Sequence, residues 1–208
     1  SKAYIEDRIR LLGIAPSEVR SIPSELLATV FFSEDAFKSY MTEVLANKAY
    51  DNTIFIITGD HGVNYPVSNK TLEKYHVPLV IYSNLLEKNA SFNGVCSHID
   101  IAPSLLALLQ QNFGLQLSDR KHWVGAGLDT STTFRSVKNI PLAVNSENLA
   151  QYISGNYIKY KDRIVRFDST LSITEVADPE VIHRVNAAFE NYRFMNEYVC
   201  GDDKLWRE

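Results

Sequence analysis

Apolar positions along this chain change their spacing several times, and each change predicts an element. Phe37, Tyr40, Met41, Val44 and Leu45 recur at three- and four-residue steps, the spacing of one helical face. Ser33 is placed to cap that helix, and Glu34 and Asp35 put negative charge where the helix dipole favours it. Residues 1–32 read as irregular, because Pro16 and Pro23 interrupt any long helix. Residues 47–52 read as the turn out of the helix. Two short runs follow without polar alternation, 53–58 (TIFIIT) and 77–82 (VPLVIY). That pattern suits strands buried on both faces, as in a parallel sheet. Pro103 near the start of 104–113 and Gly114 just past its end frame a further helix.

Beyond residue 115 the style changes. Residues 140–144 predict another strand, and 157–160 and 163–167 flank Lys161-Asp162 as a hairpin. Asp178-Pro179-Glu180 is a helix start, followed by Ile182, Val185, Phe189 and Tyr192 on one face, with an end near Gly201. The expected fold is α/β: a mainly parallel sheet flanked by helices, with a C-terminal β-hairpin plus helix extension. The expected division is 1–145 for the α/β part and 146–208 for a small α+β extension.

Composition adds bounds. The 208 residues are enough for a sizeable core. With 45% hydrophobic and 22% charged residues, the chain is ordinary for a soluble globular protein. A net charge of -4 gives no basic footprint, so nucleic acid is not an expected partner. No apolar run approaches the roughly 20 residues that span a bilayer. The polar opening SKAYIEDRIR is no signal peptide, and the missing initiator Met marks the chain as cut from something longer. Cys96 and Cys200 fit no zinc spacing and are expected as free thiols. The acceptor patterns at Asn69 and Asn89 are too loose to carry weight.

The most informative stretch is TIFIITGDHG. A buried strand ends, and Asp60 and His61 follow at once. In open α/β sheets ligands bind outside the carboxyl ends of strands. Within a strand these neighbours would point to opposite faces, but Gly59 and Gly62 free the backbone to bend, so both side chains can turn to one ion. A carboxylate with an imidazole suits Zn, Mn or another divalent cation, and Mg where oxygens dominate. On Asp-His-Gly alone, a plain β-turn is the better reading. The apolar strand ahead of it moves the balance towards a ligand site.

Three ordered segments then carry a resemblance. Asp51-Asn52-Thr53 leads into the strand and Gly59–Gly62. Val77-Pro78-Leu79 opens the second apolar run, and Asp100-Ile101-Ala102-Pro103-Ser104-Leu105-Leu106 opens the helix. In this order and at this spacing, residues 51–109 resemble the alkaline phosphatase superfamily, in particular sulfatases and lipoteichoic-acid-synthase-like phosphoglycerol transferases. Gly125-Ala126-Gly127-Leu128-Asp129 looks closest to the bacterial synthase-like members. The resemblance implies that Asp60 and His61 bind a catalytic divalent ion, with Mn, Mg, Zn and Ca open. It implies a sulfate- or phosphate-ester substrate, lipid- or glycan-linked in some members, and either hydrolysis or transfer. It also implies a nucleophile and a further acidic metal ligand upstream, so that this chain, the C-terminal part of a catalytic domain, is folded but inactive alone. Thr29 is in no such setting. Synthase-like relatives are held on the extracytoplasmic face of a bacterial membrane, so membrane helices are expected upstream in the full-length protein.

Lesser candidates are weighed against simpler roles. His76 stands just before the second strand and His98 just before the Pro-started helix; both are weak substrate contacts, better read as packing or solvent-facing residues. Asp100 reads as a helix cap, and Lys70 and Lys74 as solvated loop residues. Cys96 and His98 are too close in sequence for a thiol nucleophile and its base, and no orienting third group is evident. The competing reading of the whole chain is a non-catalytic module that binds an anion or a partner.

Overall fold

In a computed structural model of the chain, residues 2–62, 72–117, 125–145 and 148–201 are described, with side chains 143–150 and 200–201 outside that description. The chain forms two compact units, Ser1–Asn89 and Ala90–Glu208.

In the first unit, most of residues 2–32 are helical. Helices α1 (Lys2–Leu11), α2 (Pro16–Val19) and α3 (Ser24–Ala46) occupy the stretch expected to be irregular. The prolines act as starts: Pro16 opens α2, where a missing N–H costs nothing, and Pro23 is the residue before α3. Ser33 therefore lies inside α3 and caps nothing. Ile5 of α1 packs with Leu27 and Phe31 of α3 to form a small core. Its rim is polar: the Tyr4 hydroxyl donates to Asp35 at 2.7 Å, and Arg8 pairs with Glu34 and Asp35.

The two apolar runs form β1 (Phe55–Thr58) and β2 (Leu79–Tyr82). Here two expectations are corrected. The strands pair antiparallel, with Phe55 opposite Tyr82 and Thr58 opposite Leu79. A parallel pair needs a crossover, usually a helix; the described part of this connection holds only a short 3₁₀ turn at Glu73–Tyr75. Nor are these strands buried on both faces: β1 is half-buried, and Leu79, Val80 and Ile81 of β2 are exposed.

In the second unit, α4 (Ile101–Phe113) ends on Gly114 in the left-handed conformation, as the punctuation predicts. The chain then builds a five-stranded antiparallel meander: β3 (Asn139–Asn145), β4 (Asn148–Ser154), β5 (Tyr157–Tyr160), β6 (Arg163–Phe167) and β7 (Ile173–Glu175). The expected β5–β6 hairpin is its centre, turning at Lys161 with φ of 53°. The sheet runs across residue 145. Ile140, Ile153, Ile158 and Val165 lie opposite one another across four strands and are all buried, one continuous apolar row. The other face takes α5 (Pro179–Gly201): Tyr152 meets Phe189 and Tyr192, and Lys159 donates to Asn186. Asp178 caps this helix by accepting from the Glu180 amide at 2.9 Å, as its sequence predicts. The class is thus mixed helix and sheet with a C-terminal strand-and-helix region, while every described strand ladder is antiparallel. Among the described residues no helix is long and apolar enough to cross a membrane.

Candidate metal centre

Asp60 and His61 leave β1 at its carboxyl end, and the loop after them is closed by the backbone. The Gly62 amide donates to the Lys74 carbonyl at 3.1 Å, so the chain returns towards β2 directly beside the site. Gly62 is needed here for space. A Cβ built on it would lie 2.5 Å from the Lys74 oxygen. Neither Gly59 nor Gly62 has positive φ, so close approach replaces the expected backbone freedom as the reason for glycine. The Val77 side chain, two residues before β2, packs against Gly59.

Each candidate ligand has one atom tied to this loop and one atom turned to the other. Asp60 Oδ1 accepts from the His61 amide at 3.0 Å, while Oδ2 stands 3.7 Å from His61 Nε2. His61 Nδ1 lies 2.7 Å from the Gly62 carbonyl oxygen. That oxygen only accepts, so Nδ1 carries the proton, and in the neutral ring Nε2 presents its lone pair. Metal-binding histidines are commonly oriented in this way. The 3.7 Å separation is near the about 3.4 Å between two ligands held roughly 2.1 Å from one ion at a tetrahedral angle. The donor pair therefore fits a divalent cation. Both side chains are exposed, Asp60 at 91% and His61 at 67%, and among the described residues no third His, Cys, Asp or Glu joins them.

The lesser candidates separate. His76 is exposed and ends the 3₁₀ turn before β2; His98 is exposed and opens the 3₁₀ turn before α4. Lys74 lies over the Tyr75 ring, and Lys70 is outside the described residues. Thr29 is in mid-helix, donating to the Glu25 carbonyl. Cys96 is a free thiol, and its sulfur accepts from the Asp129 amide; the Cys200 side chain is outside the described residues.

Asp100 has a larger role than capping. Its carboxylate is 4% exposed and accepts from Ser97 N at 2.9 Å, Ala126 N at 3.0 Å and Lys138 Nζ at 2.8 Å. The Ser104 hydroxyl accepts from Leu128 N, and Lys138 also donates to the Gly127 carbonyl. Gly125 packs so closely on Ile99 that a Cβ would fall 1.9 Å from its carbonyl oxygen. The segments SHIDIAPS and GAGLD are thus two halves of one lock. Beside it, Asp129 accepts from Arg135 Nε at 2.8 Å and from Ser131 N, which hold its carboxyl below the usual carboxylate range. Sequence reasoning missed Lys138 and Arg135, because nothing local marks the partner of a distant carboxylate.

A family model described as Sulfatase matches residues 13–111, just under half of the chain. The match begins in the loop after α1 and covers α2, α3, the Asp60–His61 site and most of α4. It supports the alkaline phosphatase/sulfatase superfamily for this segment and, in general terms, the hydrolase or transferase chemistry of that superfamily. No curated protein and no solved structure matches the chain.

Proposed function

We propose that the chain is the metal-site portion of a divalent-metal-dependent enzyme acting on sulfate or phosphate esters, with Asp60 and His61 as metal ligands. The Sulfatase match over residues 13–111, with Asp60 and His61 at its centre, supports this reading most directly. The facing Oδ2 and Nε2 atoms are consistent with it. The loop contacts of Asp60 Oδ1 and His61 Nδ1 orient the free donor atoms before any ion arrives, so little side-chain freedom is lost on binding. A divalent ion held there would lower the pKa of a coordinated hydroxyl and offset charge developing on non-bridging ester oxygens. We assign neither the nucleophile nor the remaining metal ligands to this chain. Two exposed ligands hold an ion weakly, so the isolated chain is expected to turn over neither aryl sulfates nor aryl phosphates. Within the same proposal the full-length protein is a phosphoglycerol-transferase or sulfatase type, held on the extracytoplasmic face of a bacterial membrane.

The test is metal analysis and turnover of the full-length protein carrying Asp60→Ala or His61→Ala. Loss of a stoichiometric divalent ion and of activity in both, with the circular dichroism spectrum preserved, is expected. Full metal content and turnover in both variants would refute the assignment and leave the non-catalytic binding module as the better account.

A further inference from the structure

We draw no further inference here: the strongest candidate, the exposed apolar surface of Leu79, Val80 and Ile81 on the outer strand of the two-stranded β1–β2 sheet, is an unpartnered face, and nothing among the described residues shows what covers it.

Discussion

Replacing Lys138 by Met is the perturbation with the clearest expected cost. Lys138 Nζ sits 2.8 Å from Asp100 Oδ1, with the two side chains 13% and 4% exposed. Removing the ammonium leaves a buried carboxylate whose remaining partners are the Ser97 and Ala126 amides. Breaking a buried pair from one side typically costs about 3–5 kcal/mol. Two amide donors still solvate the charge, so the lower end, about 3 kcal/mol, is expected. At about 1.4 kcal/mol per factor of ten, that is a change on the order of 10²-fold in the local opening equilibrium.

Amide hydrogen exchange reads this at the site, because the Ala126 and Ser97 amides report the lock directly. Both should lose about two orders of magnitude of protection in Lys138→Met. Asp100→Asn combined with Lys138→Met should be less destabilised than the sum of the two single variants, since the double variant buries no net charge. Protection unchanged within threefold in Lys138→Met would refute the view that this ion pair holds SHIDIAPS to GAGLD. So would strict additivity in the cycle.

Two further outcomes follow from the geometry. Gly62→Ala should push the backbone off Lys74, since the added Cβ would meet its carbonyl oxygen at 2.5 Å; we expect a loss of about 1–3 kcal/mol and faster amide exchange in β1 and β2, and unchanged exchange would rule out the close approach. Asp129 gives a pH dependence with a definite sign: its folded pKa lies below the ordinary value, chiefly through Arg135 and then Ser131 N, so its stabilisation is full above about pH 4 and fades as pH falls through the depressed folded value. The stability difference between wild type and Asp129→Asn should therefore be flat from pH 7 to 5 and shrink only below about pH 4, and a difference that shrinks between pH 7 and 5 would contradict the assigned partners.

Local signals in the sequence were legible where one segment decides its own structure. Asp178-Pro179-Glu180 starts α5, Gly114 ends α4, and Lys161-Asp162 turns β5 into β6, because caps and turns are settled within a few residues. Strand direction was not legible. An unbroken apolar run tells of burial in general, and VPLVIY reads the same whether it pairs parallel or antiparallel. β4 and β7 escaped notice because Gln151 and Thr174 break the apolar pattern that neighbouring strands show. The prolines misled because Pro is read first as a breaker, whereas at a first turn it is a start. At the candidate site, residue types and spacing pointed to Asp60 and His61. The reason for Gly62 needed the Lys74 carbonyl, which lies twelve positions away.

Two motifs in one chain can therefore answer to two different kinds of constraint. In GDHG the donor atoms Oδ2 and Nε2 are exposed and satisfy no need of the fold, while the glycine and the loop contacts only hold them in place. In SHIDIAPS the opposite holds: Asp100 is buried, each carboxylate oxygen has a donor, and its charge is met by Lys138. Nothing there is left over for a substrate. On the proposed function, a family match that spans both motifs draws on two independent requirements, one for assembling α4 with the loop that follows it and one for binding an ion. They are separable by experiment: the lock variants should change protection in the second unit, and the Asp60 and His61 variants should change metal content and turnover of the full-length protein while leaving that protection unchanged.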